Sequence, residues 1–271
     1  MNTLNQFLAQ FASTDTPLRQ FQNHPEQTRL FTAGGAITAA VTWWTNDFHP
    51  QALYFSAVMA PQASTSLYDD ILATVTERAR IAGKTLLSFR EQDPTTRFGR
   101  WALTKGFKLI RQTTVPELTL GAIPDVASTA LSFTQLSAIQ KHQLLEVSYR
   151  HYQQTHLINP VRPFESDAWA KVAFADMLPH APIVTFDAGR ITAYCLVYAD
   201  EATTVEWGWM AGLTLSQLLA LQQQQLSWLQ HRYQTVRGEF DSTDSMADAS
   251  RKHWPFAASP VIRTYLKALA A

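Results

Sequence analysis

The spacing of apolar residues along this chain switches between a period of two and a helical period, and the same succession occurs twice. Ala36–Trp44 (AITAAVTWW) and Ala52–Met59 (ALYFSAVM) are rich in β-branched and aromatic residues and flank Asn46–Pro50, a pattern that predicts a hairpin. Over Ser66–Ala82 the residues Leu67, Ile71, Val75 and Ala79 fall on one helical face, with Ser66 placed to cap the helix and Gly83 to end it. Lys84–Phe89 then reads as a buried strand, Thr95–Thr104 as a short helix and Lys108–Leu118 as a strand. The second succession is a hairpin of Arg190–Tyr198 and Thr204–Met210, a helix over Leu215–His231, a strand over Thr235–Phe240, a short helix over Ser245–His253 and a last strand over Val261–Leu266. Thr214 and Gln217 stand at capping-box spacing before the longer helix. Helices are also predicted over Gln135–Tyr152 and Phe164–Met177.

Between the halves, Thr119–Thr129 (TLGAIPDVAST) is small, polar and turn-rich, as an inter-domain connection is. The sequence therefore divides into a domain over residues 1–120 and another over 127–271. Ile37-Thr38-Ala39 matches Ile191-Thr192-Ala193, an offset of 191 − 37 = 154. Past the helix, Thr85 matches Thr235 and the offset falls to 235 − 85 = 150, so four residues are missing from the second copy.

Composition narrows the function classes. At 46% hydrophobic and 16% charged, the 271 residues are not those of a disordered chain. The 22 basic and 22 acidic residues cancel, and no Lys/Arg run occurs, which argues against a nucleic-acid partner. No apolar run approaches the ~20 residues that span a bilayer, and Met1–Gln10 lacks the basic start and apolar core of a signal peptide. The expectation is a cytoplasmic protein with no membrane partner. The single cysteine, Cys195, excludes an intrachain disulfide and a cysteine-rich metal site.

Thr96-Arg97-Phe98-Gly99-Arg100-Trp101-Ala102-Leu103-Thr104-Lys105-Gly106-Phe107, between the strands Leu86–Phe89 and Ile110–Val115, resembles the late helix and Gly-Phe of the GNAT (Gcn5-related N-acetyltransferase) family. With the repeated element order, the resemblance covers most of Arg29–Leu118 and Ile183–Lys267, although Trp254-Pro255-Phe256 replaces Gly-Phe in the second copy. It implies an α/β fold with mixed sheets, in two tandem acyl-CoA N-acyltransferase-like (GNAT) domains. It also implies sheets that splay between their fourth and fifth strands, with acetyl-CoA as co-substrate in the gap and its pyrophosphate at the N-terminus of the next helix. Exposed amides and the positive end of a helix dipole attract phosphate there.

In the first copy that loop is Pro61-Gln62-Ala63-Ser64-Thr65-Ser66, without the family's glycines, and Asp69 and Asp70 are read as acids in the first helical turn. Ordinary helix capping also accounts for these residues. The resemblance makes Ser64, Thr65 and Ser66 the candidate phosphate ligands. It gives the backbone of Ala57, Val58 and Met59 the task of polarising the acetyl carbonyl. Several members use a Glu on the fourth strand as base; Glu206, in Val205-Glu206-Trp207-Gly208-Trp209, matches it, and the 154 offset puts Ala52 at that place in the first copy. Desolvation among Trp residues would raise its pKa into a useful range; a solvent-side or ion-paired strand residue is the plainer reading. The Tyr acid of the family is absent, its place falling at Ala102 and near Arg251.

Other constellations read structurally. Asp241-Ser242-Thr243-Asp244 and Arg90-Glu91-Gln92-Asp93 suit helix caps and offer too few ligands for a divalent cation. His151 and His156, five apart, do not form a zinc pair, and no metal site is expected. Gln222–Gln225 reads as a solvated helical face. The function expected from all this is acetyl-CoA-dependent transfer of an acetyl group to a small amine or peptide N–H by direct attack. The alternative is a non-catalytic acyl-CoA sensor or protein-interaction module on the same fold.

Overall fold

The computed structural model describes residues 3–12, 15–92, 95–121 and 123–270; Asp93 and Ala122, which figured above, lie outside them. The elements are α1 (Leu4–Phe11), α2 (Asp15–Asn23), β1 (Thr28–Ala33), β2 (Ala36–Thr45), β3 (Ala52–Met59), α3 (Thr65–Ile81), β4 (Leu86–Gln92), α4 (Arg97–Thr104), β5 (Lys108–Thr114), β6 (Glu117–Thr119) and β7 (Leu131–Ser132). They continue with α5 (Ala138–Thr155), α6 (Ser166–Ala173), β8 (Pro182–Asp187), β9 (Arg190–Glu201), β10 (Thr204–Gly212), α7 (Leu215–Leu229), β11 (Thr235–Gly238), β12 (Phe240–Asp241), α8 (Ser245–His253) and β13 (Val261–Ala268). Two compact units result: Met1–Arg111 with Ile158–Arg162 and Ile262–Ala271, and Gln112–Leu157 with Pro163–Val261.

The first sheet has the strand order β1-β2-β3-β4-β13-β5-β12. Alternation along β3 and β4 sends Leu53, Phe55, Leu87 and Phe89 to one face, where they pack with Tyr68, Ile71 and Val75 of α3 and with Phe98 of α4. Phe7, Leu8 and Phe21 from α1 and α2 cover Ala40 and Val58 on the opposite face. The second sheet, β6-β11-β10-β9-β8-β7, buries Val205, Trp207 and Met210 with Leu218 and Leu221 of α7. A further cluster, Leu145, Trp169, Tyr152 and Trp209, lies around α5 and α6.

Each sheet splays at the same point. β3 and β4 pair in parallel only from Ala52↔Leu86 to Phe55↔Phe89, and β10 and β11 only from Thr204↔Thr235 to Trp207↔Gly238. Beyond that rung β3 runs on to Met59 and β10 to Gly212. The mixed-sheet fold implied by the resemblance is the one observed, in both copies.

The closing strands depart from the sequence reading. Val261–Leu266 was expected to complete the second copy, yet β13 pairs antiparallel with β4 over Ile262↔Gln92 to Ala268↔Leu86 in the first sheet. Reciprocally β6, which follows β5 directly, pairs with β11 over Thr235↔Thr119 to Arg237↔Glu117 in the second. Local periodicity marks a strand but says nothing of which long-range edge it will join. The Tyr265 ring stacks on Phe89 at a centroid distance of 4.8 Å and is 1% exposed, so β13 is part of the first unit's core.

Tyr265→Ala is therefore expected to destabilise the protein by about 3 kcal/mol, as large aromatic truncations in cores do. Chemical denaturation followed by fluorescence measures this; a loss below 1 kcal/mol would show that β13 is peripheral to that core.

Candidate functional site

Helix α3 begins earlier than its apolar pattern suggests. Ser64, not Ser66, is the N-cap, with extended backbone (φ −75°, ψ 159°), and the first turn holds no acidic residue. The acids expected to repel phosphate are thus displaced from the helix mouth: Asp69 and Asp70 lie in the second turn, and Asp69 is neutralised by Lys105 at 2.7 Å. Ser64, Thr65 and Ser66 are all exposed, with the Ser64 and Ser66 hydroxyls 2.8 Å apart. The first amides of a helix have no intrahelical acceptor, so this end presents donors and a positive dipole. Arg97, at the start of α4, reaches back to donate to the Pro61 carbonyl at 3.1 Å.

Ala57, Val58 and Met59 form the part of β3 that β4 has left. The Ala60 amide donates to Thr38 of β2 at 2.9 Å. Alternation along an antiparallel pair then turns the Val58 amide toward β2 and the Ala57 and Met59 amides toward the open edge. Two backbone donors in the gap, with a helix N-terminus five residues further on, can grip a carbonyl oxygen and a phosphate at once.

Glu206 belongs to the other unit. It is half-buried on β10, paired with Tyr198 on one side and Arg237 on the other. Its pKa lies above the usual carboxylate value, chiefly through desolvation and further through Glu239 and Asp200, with Arg237 opposing. Arg237 itself is held by Glu117 and Asp200, each at 2.8 Å. In register, Glu206 is the third rung of its ladder, and the third rung of the first ladder is Tyr54. Tyr54, not Ala52, is therefore its counterpart.

The reason is visible in the changing offset. It is 193 − 39 = 154 on the first hairpin strand and 204 − 52 = 152 at the first ladder rung, because the second hairpin turn is shorter. An irregularity between Trp207 and Met210 raises it to 212 − 59 = 153, and a loop three residues shorter gives 214 − 64 = 150 at the helix caps. A constant offset conceals three separate changes.

The second unit's gap is built differently. Only Leu213 and Thr214 separate β10 from α7, and a Cβ on Gly212 would stand 2.7 Å from the Thr214 carbonyl oxygen. Gln222 of α7, fully buried, accepts from Ser250 Oγ at 2.8 Å and Trp254 Nε1 at 2.9 Å, tying α7 to α8 and the residue that follows it. Gln225, also fully buried, donates to the Cys195 carbonyl at 2.6 Å. Half of the glutamine tract is therefore core, contrary to the solvated face expected. Glutamine polarity hides the role; the i, i+3 spacing on an apolar helix face was the available signal.

His151 is satisfied, lying 3.0 Å from the Tyr194 hydroxyl and 3.2 Å from Asp244, whose carboxylate also caps α8. The Cys195 thiol is buried and its pKa pushed far up by desolvation, which makes it a poor nucleophile. Among the described residues no group of three or more His, Cys, Asp or Glu could hold a metal ion, and no helix is long and apolar enough to cross a membrane.

No known family profile matches this sequence, and neither does any curated protein. Solved structures do match. A GCN5-related N-acetyltransferase from Sphaerobacter thermophilus superposes with a TM-score of 0.63 at 14% identity, covering 89% of this chain and 80% of that one. A tandem GNAT protein from the clavulanic acid biosynthesis pathway gives 0.51 at 11% identity, covering 95% and 89%. A conserved Staphylococcus epidermidis protein of unknown function gives 0.54 at 11% identity, covering 92% and 98%. The two splayed sheets and these likenesses agree: the chain has the GNAT fold, in tandem.

Proposed function

We propose that the protein is an acetyl-CoA-dependent N-acetyltransferase whose coenzyme binds in the first unit. The observation that carries this reading is the open edge of β3, where the Ala57 and Met59 amides precede an α3 N-terminus free of acidic residues. Ser64, Thr65 and Ser66 would hold the pyrophosphate and the β3 amides the thioester carbonyl. The acceptor amine attacks that carbonyl directly, the C–N bond forms, and the coenzyme leaves as the thiolate. Holding the two reactants in line supplies much of the rate.

Support for the first unit over the second comes from the two-residue loop and the Gln222 tie between α7 and α8. Glu206 has a base's chemistry but sits in the copy with less room for coenzyme. Its counterpart Tyr54 has a pKa raised by burial, so it stays protonated and acts as a hydrogen-bonding group, not a base. The amine proton is accordingly assigned to water. The competing reading, a non-catalytic acyl-CoA sensor or interaction module, is favoured by the glycine-free loop.

Calorimetry of the full chain with acetyl-CoA tests the placement. Ser64→Glu is expected to weaken binding about tenfold, equivalent to ~1.4 kcal/mol, while Thr214→Glu at the matching cap of α7 leaves it unchanged. The reverse result would move the coenzyme to the second unit, and a flat panel of amine acceptors despite tight binding would establish the sensor.

Glu206→Gln is expected to leave acetyl transfer within twofold of wild type; a large fall would make Glu206 the base. The same variant has a stability signature. A carboxyl with a raised native pKa makes folding less favourable as pH climbs through that pKa, and has no such effect below the ordinary value of 4.5. Glu206→Gln should therefore be the more stable protein at neutral pH, with the gain disappearing in acid; denaturation at several pH values measures it.

A further inference from the structure

The first sheet ends in a free edge that neither the fold nor the coenzyme reading uses. β1, at one end of the strand order, runs for six residues, whereas the other edge strands, β12, β6 and β7, have two or three. Which of its backbone groups point outward follows from the ladder. The Ala60 amide donates to the Thr38 carbonyl, so Thr38 bonds toward β3 and its neighbour Ala39 toward β1. Ala39 lies opposite Phe31 and Val41 opposite Arg29. Arg29 and Phe31 therefore bond to β2, and alternation turns the amides and carbonyls of Thr28, Leu30 and Thr32 outward. The register shift after Phe31 skips Thr38, so the extra residue is on β2 and β1 itself stays regular.

On the α3 side of β1 lies a groove of about 350 Å³, lined by Arg29, Phe31, Asp70, Ala73, Thr74 and Glu77. Asp70 and Glu77 are exposed, and among the described residues neither carboxylate has an ion-pair partner. Seven residues apart on one helix, they stand about 10 Å from each other along its axis. Arg29 gives one N–H to Thr74 at 3.1 Å and lies 5.3 Å from the Phe31 ring centre, which leaves further donors for a carboxylate. Free edges are commonly guarded by charge; here the one charge on β1 is drawn back over the sheet toward α3. On the opposite face Leu30 is 43% exposed.

An occupant that suits this edge is an extended segment with a cation for Asp70 and Glu77 on one face and an apolar side chain for Leu30 on the other. β1 itself has that pattern. We propose that β1 pairs antiparallel with β1 of a second copy of this chain, about a two-fold axis through Leu30. In that register the two Leu30 residues exchange both backbone bonds, Thr28 meets Thr32, and Arg29 meets Phe31. The hydrogen-bonded pairs are then the residues whose backbone groups already face outward. Arg29 opposite Phe31 repeats across the axis the contact that each chain makes internally. It also brings each guanidinium beside the other copy's Asp70 and Glu77, while the two Leu30 side chains cover one another on the far face. A contact of this kind is isologous and closes at two copies. With 22 basic and 22 acidic residues, the chain has no net charge to oppose its own association.

Sedimentation equilibrium of the full chain measures the association; one short strand pair is expected to give a weak dimer, with a Kd of about 10–100 μM. Amide exchange at Leu30 should slow as the protein concentration rises through that range. Leu30→Pro removes an outward N–H and leaves the bonds to β2 in place, so it is expected to be monomeric with an unchanged circular dichroism spectrum. Leu30→Lys keeps the amide, sets two ammonium groups together at the axis and should weaken association at least about tenfold, which keeps the test decisive where the proline variant fails to fold. Arg29→Glu and the double variant Asp70→Lys/Glu77→Lys should each lose the dimer. An equimolar mixture of the two should regain it, because every acid at the contact then faces a base. A mixture no tighter than its components, or a dimer that survives both Leu30 substitutions, would overturn the pairing. So would a wild-type chain that stays monomeric, which would leave the edge to an extended segment of another protein.

Discussion

A parallel ladder only four rungs long is the constraint on which the rest depends. Two neighbouring strands that stay paired expose no backbone between them; two that part after Phe55↔Phe89 leave amides on an edge inside the molecule. Unpaired buried backbone groups are costly, so the gap needs either a ligand or a protein filler. The two copies meet that need differently. In the first, the loop is long enough to turn a helix N-terminus toward the gap. In the second, a short loop and a buried glutamine draw the flanking helices together.

Exchange of the closing strands has a second consequence. Each sheet is completed by a strand lying outside the continuous run of its own copy: β13 for the first, β6 for the second. The stacking of Tyr265 on Phe89 places the end of the chain inside the core formed by its beginning. Such pairings have high sequence separation, and their loop-closure entropy must be met before the contacts form. The first unit is therefore not complete until β13 has joined it.

Where polar side chains are buried, they organise the units rather than merely tolerate burial. Gln222 receives two donors from α8 and the residue after it, and Asn159 joins Tyr54 to His49. Arg237 bridges Glu117 and Asp200 beside Glu206. In a low-dielectric interior each satisfied contact is strong and each orphan expensive.

Much of the fold was legible in the sequence because hydrophobic periodicity is local. The hairpins, the helices after them and the aromatic run through Phe98, Trp101 and Phe107 all follow from side-chain spacing, and their repeated order carried the family resemblance. Three things required the tertiary structure. A helix start is decided by backbone geometry, so Ser64 displaced Ser66 as cap and the acids moved out of the first turn. Register is decided by strand pairing, so the different length of the hairpin connection made Tyr54 the counterpart of Glu206 where a constant offset pointed to Ala52. Long-range edge pairing placed β13 in the first sheet, and the insertion of Ile158–Arg162 set Asn159 against Tyr54. Spacing along a chain encodes which face a residue occupies; which distant strand lies beside that face is settled only when the whole core closes.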